Sequence, residues 1–381
     1  MKSLNSALPL LAVLGILANS TDWPKALADD SAQVAKDAAI VETLLRLPNI
    51  DVNANEKMKA AVMRYLDTKK QTPRYLELVE RFKLQGVGEE LIRLAIAEPS
   101  GTLGVGATKL LLKSGERARL SAAIDSEDDK ESTAVVTALG HVASPKAIEL
   151  LSPLVTDASR PSAVRIAAAR GLGRNRNGER LLLHLVQSAK LPGDLKFTVG
   201  DILHASADAS IRKEVAKYIE LPATAAGEPL PPVAELLKMK GDPVHGQKVF
   251  ATTGTCANCH IVHKQGKEVG PDLSEIGSKL ARDAMFVSIL DPSAGISHNY
   301  ESYAVLTVDG VVIVGLKVSE TDDSITLKND KAIVMTIKKN EIDEMNKQEI
   351  SLMPANLQKT MKVQDLVSVV EFLTTLKKKS P

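Results

Sequence analysis

The chain has 381 residues, with 48 basic against 47 acidic, and that length suggests two or three domains rather than one. No basic stripe with interleaved aromatics runs through it, so nucleic-acid binding has no support. Aromatics are only 3% while alanine and leucine are plentiful, a mix that favours packed helices over a large sheet.

At the N-terminus, Lys2 precedes an apolar run over residues 7–18 that is too short to span a bilayer as a stable anchor. This reads as an export signal over 1–28. Cleavage after Ala28 gives the better small-x-small match (Ala26-Leu27-Ala28), and cleavage after Ser20 lies closer to the apolar run; both stay open. The mature protein is expected in the periplasm or otherwise exported, with no transmembrane segment.

Residues 29–222 read as a succession of short amphipathic helices. Apolar residues recur at helical spacing over 38–47, 58–66, 91–96, 103–112, 133–142, 147–155, 163–172, 181–186, 197–203 and 211–219. The breaks between them carry Gly, Pro, Asp or Ser, as at Ala143-Ser144-Pro145. Ala138-Leu139-Gly140 returns as Gly171-Leu172-Gly173 after 33 residues. Each unit is then a helix pair that cannot bury its apolar face alone, so neighbours stack into a solenoid. Ser162-Ala163-Val164-Arg165-Ile166-Ala167-Ala168-Ala169-Arg170-Gly171-Leu172-Gly173 resembles the first helix of a HEAT repeat. The resemblance is good over 131–222; earlier helices are degenerate repeats or a cap. Residues 223–242, with Gly227, Pro229, Pro231 and Pro232, read as a linker carrying one short helix. A last domain is expected over 243–381.

Cys256-Ala257-Asn258-Cys259-His260 uses both cysteines of the chain and sets a histidine behind them. C-x-x-C-H is an attachment sequence for c-type haem. Two thiols three residues apart can form thioethers to one edge of a porphyrin, and His260 follows as the proximal iron ligand. Two other readings compete. A zinc site would draw on Cys256, Cys259, His260 and His263, but that spacing crowds all four onto one short turn. A thiol–disulfide centre wants C-x-x-C at a helix N-terminus after a strand, whereas Cys256 follows a helix that runs into a glycine break. Export and the absence of disulfides agree with cysteines already consumed by haem.

Gly246-Gln247-Lys248-Val249-Phe250 resembles the N-terminal helix of a class I cytochrome c, and Asp365-Leu366-Val367-Ser368-Val369-Val370-Glu371-Phe372-Leu373 its C-terminal helix. Between them lie Val269-Gly270-Pro271-Asp272-Leu273, Asp291-Pro292-Ser293, Tyr300-Glu301 and Ser351-Leu352-Met353-Pro354. In that order these motifs resemble the haem-binding domain of planctomycete-type proteins, which is often fused to HEAT repeats. Ser297-His298-Asn299-Tyr300 departs from that family, which tends to have glycine before the tyrosine.

The resemblance implies one covalent haem c. It also implies that the Pro271 carbonyl accepts the His260 imidazole N–H, and that Met353 is the distal iron ligand. Met285 and Met335 read better as core filler; Met345 and Met361 also follow the attachment site, and His298 and His263 are the alternative distal ligands. Met353 sits 93 residues beyond His260, more than a compact cytochrome needs. The extra length holds β-branched runs at 302–308, 311–318, 324–327 and 332–337, with Asp309-Gly310 as a strong hairpin signal. It is expected to form a small antiparallel sheet or barrel inserted over about 301–345, a structural cover over one haem edge.

The expected fold is mainly α: a HEAT-like solenoid, then a cytochrome c-like helical domain with a small antiparallel β insertion. The expected function is single-electron transfer by an exported monohaem cytochrome. The solenoid would dock a redox partner such as a periplasmic dehydrogenase or another cytochrome. A haem subunit of a dehydrogenase complex and a haem-based sensing scaffold are the rivals. No nucleophile–base motif, dinucleotide fingerprint or metal-carboxylate cluster supports an enzyme.

Overall fold

A computed structural model describes residues 22–48 and 50–378. The expected export signal lies, through residue 21, outside the described residues. The chain divides into two compact units, Met1–Leu94 and Ala95–Pro381. No helix among the described residues is long and apolar enough to cross a membrane.

The first unit packs α1 (Asp22–Leu45) on α2 (Glu56–Asp67) and continues through α3 (Pro73–Phe82) into α4 (Gly88–Ala97). Asn55 caps α2 by accepting from the N–H groups of Lys57 and Met58. A bidentate pair ties Arg64 to the buried Asp37 at 2.8 Å on each arm, and the guanidinium holds that carboxyl below its usual range. The helical spacing had not separated α3 from its surroundings. Pro73 opens it at the first turn, and Tyr75, Leu78, Val79 and Phe82 then line one buried face.

The second unit begins with helix pairs: α5 (Thr102–Lys113) and α6 (Arg117–Ile124), α7 (Asp129–Val142) and α8 (Pro145–Thr156), α9 (Ser162–Leu172) and α10 (Arg176–Gln187), α11 (Lys196–His204) and α12 (Ala209–Val215). The sequence repeat has a steric cause. Helices α7 and α9 cross at Gly140 and Gly171, where a Cβ on Gly140 would stand 2.6 Å from the Gly171 Cα. Polar links at separations of 29 and 32 residues join one repeat to the next: Arg117 to Glu149, Arg165 to Asp194 and Arg176 to Asp208. Helix α6, absent from the sequence expectation, buries only Leu120 and Ile124.

Residues 223–242 are not a free linker. Leu230, Val233 and Leu236, the last two on the short helix α13 (Val233–Leu236), sit in one core with Phe250, Phe286, Val370 and Phe372. The Val233 N–H donates to Asp201 Oδ1 on α11 at 2.7 Å. Three buried aliphatic side chains stabilise by about 1.5–3 kcal/mol each, a sum comparable to the total stability of many domains. A fragment of residues 223–381 should therefore fold, while 243–381 should unfold at much lower denaturant or fail to accumulate. Equal unfolding midpoints for the two fragments would show that this segment contributes nothing.

The C-terminal domain is built on the crossing of α14 (Pro243–Ala251) with α16 (Val363–Thr375). Asp242 caps α14 through the N–H groups of Val244 and His245, with Pro243 in the first turn. At the crossing, a Cβ on Gly246 would lie 1.9 Å from the Ser368 carbonyl oxygen. Phe250 and Phe372 pack beside it edge to face, centroids 5.7 Å apart. Backbone cannot move aside as a rotamer can. Gly246→Val should cost about 3 kcal/mol or more, seen as lost amide-exchange protection in both helices. Unchanged protection would refute the close crossing. Helix α15 (Arg282–Leu290) completes the core with Met285, Phe286 and Ile289.

Between α15 and α16 lies an antiparallel five-stranded sheet in the order β4-β3-β2-β1-β5. Its strands are β1 (Ser302–Thr307), β2 (Val312–Glu320), β3 (Ser324–Lys328), β4 (Val334–Lys338) and β5 (Ile342–Lys347). Asp309-Gly310 turns β1 into β2, with Gly310 at φ 78°. Only Lys339–Glu341 join the edge strands β4 and β5, so the sheet must curl to bring its edges together. Val305, Ile325, Leu327 and Ile337 form its own small core.

Candidate functional site

Cys256 opens a single 3-10 turn, Cys256–Asn258, directly after α14 and the bend at Gly254 and Thr255. The His260 N–H returns to the Cys256 carbonyl at 2.9 Å. The following loop is laced back onto this turn. Lys267 N–H donates to Ala257 O, Val269 and Gly270 N–H both donate to Cys259 O, and Leu273 N–H donates to Ile261 O. The lacing holds Gly270 and Pro271 against the His260 ring. A Cβ on Gly270 would stand 2.6 Å from His260 Cε1, and one on Gly266 would stand 2.1 Å from the His260 carbonyl oxygen. Only glycine fits at either place. These two glycines were missed by sequence reasoning, although Gly270 stood inside a motif already noted.

His260 is 9% exposed, and its Nδ1 lies 2.9 Å from the Pro271 carbonyl oxygen. A carbonyl only accepts, so Nδ1 carries the proton and Nε2 keeps its lone pair. Burial pushes the imidazole below its usual pKa, and the bond to Pro271 offsets part of that shift. The ring is thus neutral at neutral pH, with an Nε2 lone pair that could serve a metal.

A partly open apolar cavity of about 200 Å³ adjoins His260. Cys259, His260, Gly270 and Pro271 form one wall, and Met353 and Leu352 line it as well. Met285 and Tyr300 also line it, as does Leu316 of β2. Cys256 packs partly buried against the neighbouring core. The Met353 loop is pinned by Ser351, whose N–H donates to Ser293 Oγ at 3.0 Å and whose Oγ accepts from Met353 N–H at 3.2 Å. Below it, Ser302 Oγ donates to the Ile350 carbonyl at 2.7 Å. The Asp291-Pro292-Ser293 and Ser351-Leu352-Met353-Pro354 motifs are therefore two halves of one loop junction.

The other candidates lie elsewhere. His298 is 87% exposed on its side chain and faces Glu301; His263 is exposed and its N–H donates to Ser274 Oγ. Met361, 1% exposed, is core; Met335 and Met345 belong to the sheet. No three His, Cys, Asp or Glu side chains among the described residues gather as a metal site, which leaves the zinc reading without a geometry. Burial pushes the Cys256 thiol up to about 11 and raises Cys259 too. A reactive dithiol needs the opposite shift.

Residues 243–326 match the cytochrome c family, and residues 117–195 match HEAT repeats. The chain carries a cytochrome c domain behind HEAT-like repeats. No curated protein matches the chain. The cytochrome c match takes in the attachment turn and the first strands of the sheet and ends before Met353. The residues of the cytochrome c domain fit a c-type haem: two thiols and an oriented imidazole on one turn, a thioether in the same cavity, and an apolar lining that disfavours water. Haem binding and electron transfer follow from the domain, and protein interaction from the repeats.

Proposed function

We propose that this chain is an exported monohaem c-type cytochrome that carries single electrons, with its helical repeats as the docking platform for a partner. Cys256 and Cys259 would hold haem c through thioethers, and His260 and Met353 would bind its iron. When bound, the haem supplies a one-electron couple; histidine–methionine ligation favours a relatively high potential. The chain's own residues do the rest. Pro271 fixes the His260 tautomer, Gly270 admits the ring, Ser293 and Ser351 hold the Met353 loop, and the apolar walls keep water out.

The observation that supports this most is the convergence of Cys259, His260 and Met353 on one apolar cavity. With His260 and Met353 both holding the iron, no place would be left for substrate there, so the role would be that of a carrier, and the partner would be a periplasmic dehydrogenase or another cytochrome. The decisive experiment is the absorption spectrum of the full chain, matured in a host that attaches haem c, in both redox states and with carbon monoxide. A low-spin spectrum indifferent to carbon monoxide is expected. Rapid carbon monoxide binding to the reduced protein would replace the carrier by a sensor or an enzyme.

A further inference from the structure

The inserted sheet carries more than a cover needs. On β2 the period of two places Val312, Val314 and Leu316 on one face, and their partners on β1 are Leu306, Ala304 and Ser302. Leu316 lines the haem cavity. From it the stripe runs outward past Val314, 43% exposed, to Val312, 64% exposed, and the exposed Val311 and Val308 flank it at the hairpin tip. Four residues of strand span about 13 Å, so the stripe links the cavity lip to the end of the sheet. The outer face of an antiparallel sheet is ordinarily polar. A contiguous exposed apolar stripe marks an interaction site.

The charge around the tip narrows the occupant. Asp309 lies between Val308 and Val311, and Glu344 pairs across from Leu306 on the same face. Glu341 and Asp343 follow beside them, where the Val308 N–H donates to the Glu341 carbonyl at 2.9 Å. All four acids are exposed. The ion pairs of the sheet lie elsewhere, joining Lys317 and Lys339 to Glu320 and Lys347 to Glu301. Glu344 accepts from the Asn346 side-chain amide at 2.7 Å, and none of the four has a lysine or arginine partner among the described residues. An apolar centre edged by such carboxylates is complementary to an apolar patch rimmed by lysine or arginine.

We infer that the Val312–Val314 face of the inserted sheet is where a basic-rimmed redox protein docks, with its own redox centre toward Leu316. This rests on the electron-transfer reading above and adds the place and charge of the contact. One electron passes between the two proteins and no atoms are exchanged. The repeats and the sheet would then contribute separate contacts to the same partner.

The test uses the full-length holoprotein and a strongly basic c-type cytochrome as probe, with a strongly acidic one for comparison. Calorimetric titration should show the basic probe binding at least tenfold more tightly than the acidic one. Its affinity should fall at least tenfold from about 20 to 200 mM salt, as screening weakens the contact. Val312→Ser with Val314→Ser, both at exposed positions, should weaken it at least fivefold. Asp309→Lys with Glu344→Lys should reverse the preference between the probes. Electron-transfer rates at limiting probe should follow the same order. Parental affinity in both double variants, or equal binding of the two probes, would overturn the inference. So would a dimer that the serine variant dissolves while probe affinity stays unchanged, since the face would then belong to a second copy. The spectrum separates the two levels: absence of covalent haem defeats the electron-transfer reading, whereas intact haem with unchanged affinity defeats only the docking face.

Discussion

Protein bearing both Cys256→Ala and Cys259→Ala should accumulate without extraction-resistant haem, and the parent should keep its haem through denaturation and acid–acetone treatment. The expectation follows from the attachment turn. Among the described residues, Cys256 and Cys259 are free thiols three residues apart, and Cys259 shares the cavity with His260 and Met353. Burial raises both thiols, Cys256 to about 11, the direction opposite to that of a reactive dithiol. Each single variant should retain haem through one thioether, in reduced yield. The double variant leaves only ligand bonds to the iron, which denaturation breaks. Haem staining of a denaturing gel reads all four proteins at once. Complete release of haem from the parent would remove the covalent model, and with it the assignment of this turn.

Legibility in the sequence followed how local the signal was. The attachment turn could be read because five adjacent residues carry it. The crossing of α14 and α16 was legible because Gly246 and Phe250 stand just ahead of Cys256, so a resemblance could place their partners more than 100 residues away. The repeats showed themselves through Gly140 and Gly171, which small size alone suits to a helix crossing. What escaped depends on contacts between distant segments. The segment 223–242 looks like a linker because proline and glycine dominate its composition, yet Leu230, Val233 and Leu236 decide where it goes. Strand β5, Ile342-Asp343-Glu344-Met345-Asn346-Lys347, is polar and mostly exposed and shows no alternation; only pairing with β1 makes it a strand. The link between Ser293 and Ser351 joins residues 58 positions apart, and no spacing rule reaches that far.

Met353→Ala should abolish the weak far-red band that a thioether–iron bond gives ferric cytochromes, open the iron to carbon monoxide, and lower the reduction potential. Loss of the soft sulfur removes a ligand that favours ferrous iron. A fall on the order of 0.1–0.3 V fits within the range of about 0.8 V that axial ligands span. The geometry supplies a sharper control than a neutral surface site would. Met285 lines the same cavity from α15, but it is 2% exposed and packed in the helical core. Met285→Ala should therefore cost about 2–5 kcal/mol of stability through the space it leaves, and keep the far-red band. Met335→Ala and Met345→Ala, both in the sheet, should leave ligation unchanged. The two cavity methionines thus separate by observable, one moving the spectrum and potential, the other the unfolding midpoint. If Met285→Ala removes the band and Met353→Ala spares it, the ligand comes from α15, and the loop held by Ser293 and Ser351 serves only to close the cavity. If the parent lacks the band and a His298 substitution is what opens the iron to carbon monoxide, the segment before β1 must fold over the haem, and the exposed position of that ring would have to change on binding.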